Sequence, residues 1–223
     1  MKNIIIALDG PAGSGKTTTA KIVADKLGYL YIDTGAMYRA VTLAWIRQNK
    51  EYNDAGVIDM LDSLQIELRQ SEVGQRTILN GEDVSDDIRL PEVTKLVSPV
   101  SAIAEVRDKL VAMQREIGNA GGVVMDGRDI GTAVFPNAEL KVFLVASIET
   151  RANRRTKELL AKGMEVNEEL IKKEIADRDH YDSNREHSPL RKAEDAIEID
   201  TSDMTLQEQA DTIIKLADRI IRG

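Results

Sequence analysis

The chain has 223 residues, enough for one compact domain of ordinary size carrying small insertions, and its 42% apolar content builds a sizeable core and excludes wholesale disorder. A net charge of −8 leaves no global attraction for DNA, RNA or anionic lipid, so any bound anion must be held by a local cluster of positive groups. With no cysteine, two histidines and 4% aromatic residues, the composition excludes disulfides, thiolate metal sites and a Cys nucleophile, and argues against a His-rich metal site or a stacking platform for single strands.

Asn3 to Leu8 is a short β-branched run bounded by Asp9-Gly10-Pro11, the pattern of a strand buried on both faces. It is too short for a signal-peptide core, and no run in the chain approaches the roughly 20 apolar residues of a membrane span. The expected setting is cytoplasmic. Thr17 to Leu27 has helical spacing and stops at Gly28; Leu30-Tyr31-Ile32 reads as a second strand, and Met37 to Gln48 as a second helix. From Leu64 to Ile88 the pattern changes to period two, with Asn80-Gly81 as a tight-turn signal, which predicts a small antiparallel insertion. Pro91 to Ala120 returns to helix, with a break expected at Pro99. Gly122 to Asp126 and Leu140 to Val145 read as buried strands. Thr150 to Lys162 reads as a basic helix closed by Gly163, and Asn167 as the cap of a helix running to about Arg185. Ala196 to Asp200 is the last strand, and Thr205 with Glu208 forms a capping box for a final amphipathic helix. Strands alternating with helices predict a parallel sheet flanked by helices.

The strongest chemical signal is Gly10-Pro11-Ala12-Gly13-Ser14-Gly15-Lys16-Thr17, which fits G-x-x-x-x-G-K-[ST] between a buried strand and a helix. The glycines let the backbone curl until its N–H groups converge on a phosphate, and the helix N-terminus adds partial positive charge. Lys16 then reaches the β- and γ-phosphates, and the Thr17 hydroxyl can ligate Mg²⁺. The plain alternative is a Gly-rich turn with no ligand. Asp126, at a strand end, is the second candidate Mg²⁺ ligand, unless it only caps a backbone N–H.

Several arginines stand near predicted strand ends or share helix faces. Arg39 follows strand two and Arg128 follows the Asp126 strand; Arg107 is helical. Arg178, Asp182 and Arg185 fall at i, i+4 and i+7, and Arg151, Arg154 and Arg155 share a face of the preceding helix. Each alone reads equally as a solvated charge, and Arg178 with Asp182 as an ion pair. Together, in an acidic chain, arginines around a phosphate loop predict a second phosphate-bearing ligand, which guanidinium forks grip bidentately.

Four motifs in order resemble the bacterial cytidylate kinases: the phosphate loop, Asp33-Thr34-Gly35-Ala36-Met37-Tyr38-Arg39, Asp126-Gly127-Arg128-Asp129-Ile130-Gly131-Thr132 with Val134-Phe135-Pro136, and Arg178-Asp179 to Asn184-Arg185. The segment Gly81 to Ser85 fits too, so the resemblance spans nearly the whole chain. It implies a nucleoside monophosphate kinase fold: a P-loop core at roughly 1–33, 105–147 and 186–223, a monophosphate-binding insertion at 34–104, and a helical lid at 148–185. The implied reaction converts ATP plus CMP or dCMP to ADP plus CDP or dCDP, with Mg²⁺. Residues 10 to 17 and Thr18 would bind ATP. Thr34 and Arg128-Asp129 would contact cytosine; Thr34 stands where some relatives carry Ser, with the hydroxyl kept. Arg39, Arg107 and Arg178 would hold the CMP phosphate, with Arg185 near the sugar-phosphate and Asp182 at the ribose hydroxyls. Arg154 and Arg155 would close over ATP. Lys16, Arg128, Arg154 and Arg178 would be the catalytic cations. The expected form is a monomer with no nucleic-acid or membrane partner.

No general base is required, because the attacking phosphate is already anionic, and His180 and His187 are expected at the surface. Two other readings stand beside this one. One is a kinase for another small acceptor, such as a different nucleotide or shikimate. The other is a P-loop ATPase or switch acting through a protein partner. A guanine-reading Asn-Lys-x-Asp is absent, since Asn49-Lys50 is followed by Glu51-Tyr52.

Overall fold

The computed structural model describes residues 2–72, 74–161 and 163–223. The backbone separates into two compact units, one of residues 1–31 with 120–223 and the other of residues 32–119.

The first unit is built on a five-stranded sheet. Its strands in chain order are β1 (Ile5–Asp9), β2 (Leu30–Asp33), which carries the chain into the second unit, β6 (Val123–Gly127), β7 (Leu140–Val145) and β8 (Ile197–Asp200). The spatial order is β2-β6-β1-β7-β8, with β1 running parallel to both β6 and β7, and β7 parallel to β8. Central strands of this kind are covered on both faces, and Ile6, Leu8, Val124, Val142 and Leu144 are all buried in one apolar core. Helix α1 (Lys16–Leu27) follows β1 and packs on α8 (Leu206–Arg222). Gly28 ends α1 in the left-handed region, φ 65°, with its N–H on the carbonyls of Ala24 and Asp25. The α8 capping box forms as the sequence predicts. Between β7 and β8 lie α6 (Ile148–Ala161) and α7 (Glu168–Asn184), packed through Ala152, Ile171 and Ile175; Asn167 caps α7 by accepting from the Leu170 N–H. The expected helix end at Lys162 lies outside the described residues.

The second unit holds α2 (Thr34–Ile46), α3 (Asp54–Met60), a three-stranded sheet of β3 (Ile66–Ser71), β4 (Gly74–Leu79) and β5 (Glu82–Asp83), then α4 (Pro91–Ala102) and α5 (Ala104–Gly118). The antiparallel insertion is present: β3 pairs β4 and β4 pairs β5, the last turn using Asn80 and Gly81 at φ 50° and 86°. Three details depart from the sequence reading. Helix α2 starts at Thr34 rather than Met37, because the Asp33 carboxylate accepts the Ala36 N–H and caps it there. Helix α3 was not expected; Asn53 caps it, and Gly56 lets it approach Trp45 so closely that a Cβ would lie 2.5 Å from the indole. The break expected at Pro99 falls instead at Ile103, whose backbone is extended. Pro99 removes one helical hydrogen bond, but Val93, Val97 and Val100 bury one face of α4, and that packing carries the helix through. Helix α5, expected in the core from residue 105, packs on α4 and α2 inside this unit.

Candidate active site

The loop after β1 departs from the sheet at the carboxyl ends of its strands, where α/β ligands bind. Gly10, Gly13 and Gly15 adopt φ of 146°, 78° and 93°. A Cβ on Gly10 would collide with the Leu144 carbonyl oxygen. Gly10→Ala is therefore expected to lose roughly 1–3 kcal/mol through backbone strain and a similar amount through overpacking. The urea midpoint measures it; a wild-type midpoint would show that the loop does not need this glycine.

Lys16 opens α1 and is buried. Its ammonium donates to the Pro11 carbonyl at 2.7 Å and lies 3.4 Å from the Ser14 hydroxyl. Burial, followed by the charge of Arg128, holds it well below the usual lysine range, while Asp126 and Asp9 pull it back up. The next side chain, Thr17, donates to Asp126 Oδ2 at 2.7 Å, and Tyr31 donates to the other oxygen, Oδ1, at 3.0 Å. Asp126 stands opposite Leu8 in the β1–β6 register, so the strand pairing brings it level with the start of the loop. A hydroxyl and a carboxylate at hydrogen-bond distance are both hard oxygen donors, and this pair fits Mg²⁺. Thr18 is exposed on the first turn of α1.

Beyond β6 stands the arginine cluster. Arg128 Nε donates to Asp182 Oδ2 at 3.1 Å, and Arg178 Nε lies 3.8 Å from the same oxygen without a hydrogen bond of its own. The adjacent-turn pair read from the sequence is thus a three-membered group, with Arg128 the nearer partner. Burial first, then the neighbouring Arg128, lowers Arg178 to about 10, so it remains cationic at neutral pH. Arg185 stands just past the end of α7, donating to the Ser188 carbonyl at 2.8 and 2.6 Å, with Nη2 3.9 Å from Asp129 Oδ1. Asp129 and Asp182 are both buried.

The three arginines of α6 go to different places. Arg151 is buried and donates to the Ala12 carbonyl in the loop at 3.2 Å and to Asp179 at 2.5 Å. Arg154 donates to the Thr201 carbonyl, and Arg155 pairs with Glu158. His180 and His187 are exposed.

In the second unit, Thr34 is buried at the start of α2. Arg39 donates to the Ile88 carbonyl at 3.2 Å and the Thr94 hydroxyl at 2.9 Å. Arg107 is buried, donates to the Ser101 carbonyl at 3.1 Å, and lies 5.4 Å from the Tyr38 ring centroid, a cation–π distance.

Sequence reasoning did not single out Asp9 or Tyr31. Asp9 accepts the N–H groups of Ile130 at 2.8 Å and Gly131 at 2.7 Å. Burial pushes its pKa up to about 7 against those two bonds. A carboxylate at the end of a buried strand, directly before the motif, was the available signal.

A strand, a glycine cradle with a buried lysine, and a threonine paired with a strand-end aspartate define a P-loop nucleotide-binding protein of the α/β class. The family model described as cytidylate kinase matches residues 6–219. Proteins named cytidylate kinase from a Geobacillus species and from Bacillus subtilis are 53% and 51% identical, over 98% of this chain and 98% of each relative. One from Listeria innocua is 53% identical over 100% of this chain and 99% of its own length. A solved structure of an uncharacterized protein from Eubacterium ventriosum shares the fold, with a TM-score of 0.53 and 16% identity over 98% of this chain and 99% of that one. The chain belongs to the cytidylate kinase family, whose members are nucleoside monophosphate kinases using a nucleotide as phosphate donor. Among the described residues no helix is long and apolar enough to cross a membrane.

Proposed function

We propose that this chain transfers the terminal phosphoryl group of ATP to the phosphate of CMP or dCMP. One observation carries the reading: beyond the strand end that pairs with the phosphate loop's strand, Arg128 and Arg178 converge on one carboxylate oxygen of Asp182, at 3.1 and 3.8 Å. Cations held that close to one another make sense where two polyanions must meet. The larger unit would bind ATP through residues 10 to 18. Thr17 and Asp126 would hold Mg²⁺, which neutralises charge on the β- and γ-phosphates when bound. Lys16 would stabilise the same phosphates. Arg178 would hold and neutralise the acceptor phosphate, with Arg185 near the sugar-phosphate; Arg128 and Asp129 would face the cytosine, Arg128 adding its charge beside the phosphates; and Arg154 with Arg155, on the helical lid of α6 and α7, would close over the donor. Thr34 would contact cytosine, and Arg39 and Arg107 would hold the CMP phosphate.

An oxygen of the CMP phosphate attacks the γ-phosphorus; the bond from that phosphorus to the β,γ-bridging oxygen breaks, and ADP leaves. No base is needed, because the attacking oxygen carries no proton that must be removed. The protein's tasks are alignment, charge neutralisation and exclusion of water. Supply of CMP, dCMP, UMP and AMP in turn, with ADP release followed by a coupled assay, tests the reading. CMP and dCMP should be the good acceptors; comparable rates with AMP, or ADP release that ignores the acceptor, would refute it.

Asp182 would accept hydrogen bonds from the ribose hydroxyls. Asp182→Ala is expected to reduce kcat/KM for CMP by about 1–3 kcal/mol more than for dCMP, which lacks the 2′-hydroxyl. Because Asp182 also holds Arg128, both substrates should lose something. Equal losses would mean that the residue only positions its arginines.

A further inference from the structure

Asp9 takes no part in the chemistry just described, yet it is a buried carboxylate with both oxygens engaged. Its two acceptors grip successive N–H groups, Ile130 on Oδ1 and Gly131 on Oδ2. Those are the first two residues of the wide turn Ile130–Val134, whose opening N–H groups have no partner within the turn itself. Asp9 thus caps the turn from a different strand.

The cap lies directly beyond Arg128-Asp129. On the near side, the same two residues are fixed by strand pairing, since Asp9 stands opposite Gly127 in the β1–β6 register. The segment from Gly127 to Gly131 is therefore held at both ends by one residue: by its backbone at Gly127 and by its side chain at Ile130 and Gly131. The room on Gly131 is small, because a Cβ there would lie 3.1 Å from Lys141 Cδ and 3.4 Å from Asp9 Oδ2. Lys141 is in turn tied to the Pro136 carbonyl and to Asp195 at 2.8 Å, so the floor under the turn is itself fixed.

We propose that Asp9 is a positioning residue for base recognition: its carboxylate clamps the two N–H groups that follow Arg128-Asp129 and so sets where those side chains meet the acceptor's base. The inference rests on the reading that Arg128 and Asp129 face cytosine. A second route for Asp9 is also physical, through its charge on Lys16, and it would affect the donor side equally for every acceptor.

Asp9→Asn keeps one acceptor and replaces the other by an N–H₂ that faces a donor. With the clamp as described, kcat/KM for CMP falls about tenfold or more while that for UMP falls much less, so base discrimination narrows. ATP affinity, titrated directly on the same variant, stays at the wild-type value. Equal losses with CMP and UMP, or a loss of ATP affinity that accounts for the whole effect, would overturn the clamp and assign Asp9 to Lys16. A wild-type enzyme that does not prefer CMP over UMP would instead overturn the underlying reading of Arg128 and Asp129. Amide hydrogen exchange on the wild-type protein gives an answer even where the variant does not fold. The Ile130 and Gly131 amides should be protected without CMP and little changed by adding it; exchange at exposed-loop rates without CMP would contradict the clamp.

Discussion

Lys16→Ala is expected to cut turnover with saturating ATP and CMP by about a hundred- to a thousand-fold, the loss typical of removing one preorganised charge-stabilising donor. Folding should survive. The ammonium is buried against a neutral carbonyl and a hydroxyl, and burial already disfavours its charged form. Removing it relieves a desolvation cost, which offsets the lost attraction to Asp126 and Asp9. Steady-state kinetics beside a thermal melt separates the two effects. Near-normal turnover in the variant would sink the assignment of Lys16 to the phosphates, and a collapsed melt would recast it as a structural residue.

The second large effect is expected at Asp129. Cytosine presents an acceptor at N3 and a donor at its exocyclic amine, and uracil reverses both. A guanidinium facing N3 and a carboxylate facing the amine therefore match one base and leave buried groups unpaired with the other. Asp129 is buried, with Arg185 Nη2 3.9 Å from its Oδ1. Asp129→Ala should lower kcat/KM for CMP by about 1–3 kcal/mol, while UMP, poor from the start, loses much less. An unchanged CMP-to-UMP ratio would remove the basis for the claim. Asp9→Asn is expected to narrow the same ratio from behind the loop, so the two variants should not be additive.

The phosphate loop was legible because strand, glycines, Lys16 and α1 are contiguous, and each residue type has its own physical reason. The parallel sheet was legible for a similar reason: its strands are short, β-branched and bounded by turn residues. Helix α3 was not. It has seven residues, too few for periodicity to speak, and its position depends on Gly56 lying against Trp45, a tertiary contact. The break at Ile103 was misread for a related reason, since local proline chemistry pointed to Pro99 while the burial of Val97 and Val100 decided the outcome.

Within the site, the residue types were readable and their partners were not. Arg178 and Asp182 share a helix face in any helical reading, but Arg128 lies 54 residues from Asp182 along the chain and is nevertheless its closer partner. Thr17 and Asp126 are 109 residues apart and meet only because β1 and β6 pair in register. Asp9 makes its contacts 121 and 122 residues away. Such links are consequences of sheet order, which periodicity does not specify.

The central claim is direct transfer from a nucleoside triphosphate to a cytidine monophosphate, and following a label on the γ-phosphoryl group of ATP tests it most directly. With CMP present, the label should appear in CDP, matched one for one by ADP, with little free phosphate. Label accumulating as inorganic phosphate at a rate indifferent to CMP would contradict the account and mark the chain as an ATPase.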